Sequence, residues 1–275
     1  MGRMNTANPA GGFIWYELMT TDPDGAAAFY GDVVGWTIKG TPPQDGGIDY
    51  RHIIRSDGGS NGGVLTLTEE MRAGGARPCW LGYIHVADVD AAIEAIAADG
   101  GKVLMPKTTI DVGSFALVTD PEGVAFYIMT PVPPAGDPHA VSDVFSATEP
   151  QHVRWNELMA NDPDAALAFY QKHFGWGQEG EMDMGPIGAY RFLQCGEETI
   201  GALMPRMPQA PVSLWTHYIR VDDIDRAVAA IGKGGGMVTF GPSEIPDGEF
   251  ALSGMDPQGA PFGLVGRRGK QPSDD

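Results

Sequence analysis

The chain repeats itself, and this duplication limits what it can fold into. Thirteen residues between Trp15 and Trp36 recur at the same spacing 140 residues later, between Trp155 and Trp176. A second block begins at Trp80 and recurs from Trp215, and both copies continue with the same Phe-Ala-Leu and Asp-Pro segments. The chain is therefore two copies of one module of roughly 120 residues.

Composition narrows the classes of partner. The chain has 275 residues, 43% of them hydrophobic, which is enough to bury a core in each of two domains. A formal charge of −18 argues against nucleic acid or an anionic membrane surface as partner, because both attract basic patches. Two cysteines form no disulfide framework and suit a reducing compartment, so we expect a cytoplasmic protein.

The repeat and the Pro-rich stretch between its copies set the expected domain limits. Each copy is expected to fold as one domain, and the residues outside the copies lack a hydrophobic pattern. The expected segments are a flexible N-terminus at 1–12, a first module at 13–131, a linker at 132–150, a second module at 151–266 and a disordered tail at 267–275.

Local patterns predict two βαβββ motifs in each module. Residues 13–20 alternate as a strand, and Asp22 can then cap a helix whose first residue is Pro23 and whose stop signal is Gly35. Three strands follow, and the same order restarts at Trp80. We predict a loop at 69–78 between the motifs and a short strand at 102–104.

Several of the repeated residues carry a family resemblance. Phe29-Tyr30 precedes Gly35-Trp36 in the first copy, the second copy repeats this pair of dipeptides, and each copy has an Asp-Pro-x-Gly turn before its last strand. This pattern resembles the vicinal oxygen chelate superfamily, which includes glyoxalase I, fosfomycin and bleomycin resistance proteins and extradiol dioxygenases. The Trp-x-Glu-Leu-Met opening of both copies resembles tandem glyoxalase-like proteins that include a mycobacterial antigen.

The resemblance implies a fold and a general location for ligands. We expect an α+β protein of tandem glyoxalase-like halves, each built of two βαβββ units. In such proteins the units curl into a cup-shaped mixed sheet, with the helices outside and the ligand inside.

The resemblance also defines where metal ligands would stand. Typical members place His, His and Glu at positions that are occupied here by residues with other side chains. Indole, Leu, Thr and Gly side chains do not supply the imidazole or carboxylate lone pairs that a divalent ion needs, so we expect neither metal nor cofactor. The six positions hold Trp15, Leu81 and Tyr127 in the first half and Trp155, Thr216 and Gly263 in the second.

The remaining polar and aromatic residues on the expected inner faces form the candidate site. We predict catalytic roles for Glu17, Glu157, Tyr127 and His217. We predict ligand contacts for Trp15, Met19, His52, Tyr83, Trp155, Met159 and Tyr218. The two glutamates have an alternative reading as structural ion pairs with Arg51 and Arg191, because an inward carboxylate needs a partner.

Three functions remain open from the sequence. The first is a metal-free protein that binds a small apolar or aromatic molecule, either for sequestration or for modest acid-base chemistry as a lyase or isomerase. The second is a metal-dependent lyase or dioxygenase. The third is a surface-interaction protein whose cups are plugged by its own side chains. We expect a small-molecule ligand and a monomer or weak homodimer, and the ligand and the functional half stay open.

Overall fold

A computed structural model describes residues 8–40, 42, 47–208 and 210–269. Most of the predicted flexible N-terminus and disordered tail, residues 1–7 and 270–275, lies outside the described residues. The first half contains β1 (Phe13–Thr20), α1 (Pro23–Val34), β2 (Thr37–Lys39), β3 (Tyr50–Ile54), β4 (Ser60–Thr66), α2 (Glu69–Ala73), β5 (Cys79–His85), α3 (Val89–Ala98), β6 (Lys102–Ile110), β7 (Gly113–Thr119) and β8 (Ala125–Pro131).

The second half repeats this order. It contains β9 (Val153–Ala160), α4 (Pro163–Phe174), β10 (Gly177–Asp183), β11 (Ala189–Cys195), β12 (Glu198–Pro205), β13 (Leu214–Arg220), α5 (Ile224–Lys233), β14 (Met237–Ile245), β15 (Glu249–Met255) and β16 (Pro261–Gly266). Each half supplies one eight-stranded sheet. The strand orders are β2-β3-β4-β1-β5-β8-β7-β6 and β10-β11-β12-β9-β13-β16-β15-β14.

These elements confirm the predicted fold class, an α+β protein of tandem halves with two βαβββ motifs in each. Both sheets are mixed. In the first, β1 pairs with β4 and β5 with β8 in parallel, whereas β3–β4 and β7–β8 are antiparallel. In the second, β9 pairs with β12 and β13 with β16 in parallel, whereas β11–β12 and β15–β16 are antiparallel. Two local predictions were wrong. The expected loop at 69–78 contains the short helix α2, capped by Thr68, and the strand expected at 102–104 extends to Ile110. Pro106 is tolerated within it because β6 is an edge strand.

The helix signals in the sequence have the expected geometry. The Asp22 carboxylate accepts a hydrogen bond of 2.9 Å from the Gly25 N–H, Pro23 opens α1, and Gly35 ends it with a φ of 88°. Asp162 and Gly175 do the same for α4, where the φ of the glycine is 68°. Because residues that have a Cβ rarely adopt such positive φ values, the two glycines fix where each helix ends and the next strand begins.

Two compact units exist, and each draws on both halves of the sequence. One unit comprises the described residues of 1–15, 81–145 and 155–215, and the other those of 16–80, 146–154 and 216–275. In the second of these units α1 packs against α5, and the Arg226 guanidinium donates to the carbonyls of Asp32 and Val33. In the first unit α3 contacts α4, where the Asp99 carboxylate pairs with Lys172 and lies 2.8 Å from the His173 imidazole.

A buried tyrosine joins the motifs within each unit. In one unit Trp80 Nε1 donates to the Tyr30 hydroxyl at 2.9 Å, and that hydroxyl donates to Asp256 at 3.1 Å. Asp256 also accepts from backbone N–H groups of its own Asp-Pro-x-Gly turn. Burial raises the pKa of both Tyr30 and Asp256.

The other unit contains the same arrangement. Trp215 donates to Tyr170 at 3.1 Å, and Tyr170 donates to Asp120 at 3.2 Å. The repeated Trp, Tyr and Asp are therefore parts of one hydrogen-bonded chain that is built twice.

His217 lies in the core of the unit that contains Tyr30. Its ring packs edge-on to Tyr16 with a centroid distance of 4.9 Å, and the residue is only 2% exposed. Burial lowers the pKa of the imidazole to about 3, so His217 is neutral at physiological pH.

No helix in the described part of the chain is long and apolar enough to cross a membrane.

Replacing Tyr30 by Phe should destabilise the fold by about 2 kcal/mol, because the Trp80 N–H and the Asp256 carboxylate both lose a buried partner. Urea unfolding of the wild type, Y30F, D256N and the double variant measures this loss. We expect Y30F to cost clearly less in the D256N background than in the wild type. Additive effects would show that the two groups are not coupled.

His217 should make stability depend on pH. Its pKa is about 3 in the folded protein and about 6.5 in an unfolded chain, so between these values the unfolded state binds more protons and stability falls as the pH falls. From pH 7 to pH 5 this one group should cost about 2 kcal/mol. Urea unfolding should show a smaller loss for H217Q, whereas H139Q, at an exposed position, should keep the wild-type dependence.

Candidate functional site

A hydrogen-bonded chain of three side chains lies on one face of the second half's first motif. Trp155 Nε1 donates to the Tyr190 hydroxyl at 2.7 Å, and this hydroxyl donates to Glu157 Oε2 at 2.8 Å. All three residues are partly exposed. The arrangement fixes the direction of every proton in the chain and ends on a carboxylate that accepts hydrogen bonds.

The strand order explains why these side chains meet. Trp155 and Glu157 are two residues apart on β9 and so share a face, while Tyr190 lies on β11 with β12 between the two strands. Ala202 of β12 stands in register with Glu157 on one side and with Phe192 on the other. Its small side chain lets residues of β9 and β11 approach across it.

Phe192 extends this face as an apolar surface. Its ring packs edge-on to Trp155 and to Tyr190, with centroid distances of 6.1 Å in both cases, and it is partly exposed. We call Trp155, Glu157, Tyr190 and Phe192 the β9–β11 face. This face combines aromatic edges and planes with one oriented carboxylate.

The equivalent glutamate of the first half has a different environment. Glu17 is only 2% exposed and stands in register with Gly63. A Cβ at Gly63 would lie 2.0 Å from the Tyr50 hydroxyl, so the Tyr50 side chain covers this glycine. Burial, together with the charge of nearby Glu17, raises the pKa of the Cys79 thiol to about 12. Glu17 therefore lies in an enclosed site beside a protonated thiol.

The arginines considered as counter-ions have acidic partners of their own. Arg51 forms salt bridges with Asp24 at 2.6 Å and with Asp49 at 3.0 Å. Arg191 forms a salt bridge with Asp164 at 2.5 Å. The guanidinium of Arg191, the residue after Tyr190, is thus paired with the Asp164 carboxylate at the start of α4.

The predicted residues of the second motifs form two separate clusters. Tyr83 and Tyr127 are register partners and stack at 4.1 Å with an angle of 15° between the rings, and Phe115 lies 5.9 Å from the first. Both tyrosines are buried. In the other half Tyr218 pairs with Gly263, and its ring fills the space where a Cβ would stand. Tyr218 and Ser253 share a hydrogen bond of 3.1 Å.

The other predicted site residues are placed individually. Met19 and Met159 are buried, Trp15 is partly exposed, and His52 is exposed and packs edge-on to Tyr50. His217 lies one residue before Tyr218 on β13 and thus points to the opposite face, towards Tyr16. The structure connects Trp155 and Glu157 through Tyr190, and it stacks Tyr83 on Tyr127. It places His217 in the core.

The donor set does not fit the superfamily's metal ion. Trp155 donates its only N–H to Tyr190, Leu81 and Thr216 are buried, and Tyr127 is stacked on Tyr83. Among the described residues no three His, Cys, Asp or Glu side chains are placed to hold a metal ion.

Sequence reasoning missed Tyr190 and Phe192. Both lie on β11, which β12 separates from β9, so the sequence alone does not show that they meet Trp155 and Glu157. A usable signal existed, because Tyr190-Arg191 repeats Tyr50-Arg51 at the 140-residue spacing.

Sequence comparison finds close relatives of the whole chain. CFP32 of Mycobacterium bovis, whose name marks it as a glyoxylase candidate, is 35% identical over 257 residues, which cover 91% of this chain and 93% of CFP32. The anthracycline biosynthesis protein DauV of Streptomyces sp. strain C5 is 27% identical over 282 residues and 94% of each chain.

Structural comparison shows the same fold in solved proteins. The Mn(II)-bound glyoxalase from Novosphingobium aromaticivorans superposes with a TM-score of 0.61 and 15% identity, over 95% of this chain and 83% of the other. The 2,3-dioxygenase LapB from Pseudomonas sp. KL28 gives a TM-score of 0.58 and 13% identity, over 98% and 94%. The model of the Glyoxalase/Bleomycin resistance protein/Dioxygenase superfamily matches residues 12–128 and 150–263, and the chain belongs to this superfamily.

Proposed function

We propose that this protein binds a small, largely apolar or aromatic molecule on the β9–β11 face, without a metal ion. The observation that carries the proposal is the Trp155–Tyr190–Glu157 chain, which stands where a typical superfamily member begins its metal site. An indole N–H is a hydrogen-bond donor only and cannot coordinate a cation. Polar recognition at this place therefore depends on hydrogen bonds.

The apolar part of the proposal is supported by the rings around this chain. Trp155 and Phe192 present partly exposed aromatic surface, and Met159 on the same face of β9 adds a polarisable thioether. Ligand sites typically combine such a surface with a few oriented polar groups. The name of DauV, which refers to anthracycline biosynthesis, agrees with an aromatic ligand.

The contrast between the halves supports the choice of the second one. Glu17 is almost completely buried, whereas Glu157 is partly exposed. The rings of Tyr83 and Tyr127 cover each other by stacking. The carboxylate of the second half is therefore the more exposed of the two.

Calorimetric titration with 2-naphthol, a fused aromatic probe, tests the proposal. We expect saturable binding by the wild type that W155A weakens at least tenfold, because the indole supplies the stacking surface and donates the hydrogen bond that orients Tyr190. F240A, which removes an exposed ring from β14, should bind as the wild type does.

The role of metal is tested on the same protein. Titration after treatment with EDTA should give the same affinity as before, and native mass spectrometry should show the bound probe without a metal ion. Binding that disappears with EDTA and returns with Mn²⁺ would support a metal-dependent lyase or dioxygenase instead. A lack of binding for every aromatic probe would refute the proposed function.

A further inference from the structure

We infer that the β9–β11 face selects aromatic molecules that carry a hydroxyl group or another neutral hydrogen-bond donor, and that it discriminates against aromatic carboxylates. This inference rests on the proposed function and names the chemical class of its ligand. It follows from the direction of the hydrogen bonds between the three polar side chains.

The donors on this face are already committed. The Trp155 N–H is donated to Tyr190, and the Tyr190 O–H is donated to Glu157. An indole has one N–H and a phenol has one O–H, so neither side chain has a second proton to offer. A ligand that approaches this chain meets oxygen atoms that accept hydrogen bonds.

Glu157 is the natural contact for such a ligand. A carboxylate accepts hydrogen bonds through several lone pairs on its two oxygens, and the Tyr190 hydroxyl donates to Oε2. Its contact with a ligand hydroxyl is a charge-assisted hydrogen bond, which is stronger than a bond between neutral groups. The aromatic rings of Trp155 and Phe192 lie beside it, so a hydroxyl attached directly to an aromatic ring satisfies both contacts.

The charge near the face works in the same direction. Arg191, the next residue after Tyr190, is held by Asp164 at 2.5 Å and adds no unpaired positive charge. The chain as a whole carries a formal charge of −18. An anionic ligand is repelled by Glu157 at short range and by the protein at long range.

Tyr190 is a positioning residue in this scheme. It accepts from Trp155 and donates to Glu157, and so holds the carboxylate in one orientation. Removal of its hydroxyl keeps the Glu157 carboxyl group but releases the side chain. The effect of Y190F on selectivity should therefore be smaller than that of E157Q.

Three probes of nearly equal shape test the inference by calorimetry at pH 7. They are 2-naphthol, which donates and accepts, 2-methoxynaphthalene, which only accepts, and 2-naphthoate, which is an anion. We expect 2-naphthol to bind the wild type at least tenfold more tightly than either of the others. E157Q should remove most of this preference, Y190F should reduce it about threefold, and E94Q, on the exposed surface of α3, should leave it unchanged.

The outcomes separate this inference from the proposed function. Equal binding of the three probes, or a preference that survives in E157Q, would overturn the donor selectivity but keep the aromatic site. Tighter binding of 2-naphthoate than of 2-naphthol would also overturn it. Failure of all three probes would refute the proposed function itself. Far-UV circular dichroism and urea unfolding of each variant show that the comparison is made between folded proteins.

Discussion

A tyrosine hydroxyl held between an indole N–H and a buried carboxylate is the interaction on which both compact units depend. In one unit Tyr30 at the end of α1 connects Trp80 to Asp256, and in the other Tyr170 connects Trp215 to Asp120. The aspartates lie in the turns that precede the last strand of each half. A buried carboxylate without hydrogen bonds would cost several kcal/mol. The Trp–Tyr–Asp hydrogen bonds therefore stabilise only one placement of the tyrosine's helix against the aspartate's turn.

This constraint explains why each compact unit needs both halves of the chain. The tyrosine comes from the first motif of one half and the aspartate from the second motif of the other. The aromatic packing around them follows the same division, since Phe29 contacts Phe262 in one unit and Phe126 contacts Phe174 in the other. A substitution at one of these positions therefore affects the packing of both copies of the module. The exposed faces of the strands can differ between the copies.

Much of the fold could be predicted because its signals are local. The N-caps Asp22 and Asp162, the glycines that end α1 and α4, and the alternation of residues 13–20 each specify their element without reference to the rest of the chain. Because the sequence repeats, the same elements could be predicted for the second half. What could not be predicted was which motif packs against which, because aligning two copies shows that they are alike but does not reveal their contacts.

The candidate site was predicted less completely for a related reason. Trp155 was identified from a family metal position and Glu157 as a carboxylate on the same face of its strand. Their meeting with Tyr190 depends on Ala202 in the strand between β9 and β11, which is a long-range feature. His217 was a candidate because it was expected among the polar residues of the inner face. Period-two alternation along β13 places it on the face of Trp215 and so in the core, where burial lowers its pKa to about 3.

Trp155 shows how one position can change the chemistry of a whole face. A histidine at this place offers a lone pair and can bind a cation, whereas an indole offers only a proton. That proton orients the Tyr190 hydroxyl, which in turn must point its own proton towards Glu157. The hydrogen-bonded chain thus ends on the Glu157 carboxylate, beside the partly exposed rings of Trp155 and Phe192. The absence of an imidazole at this position and the fixed orientation of the Glu157 carboxylate are consequently two results of the same side chain.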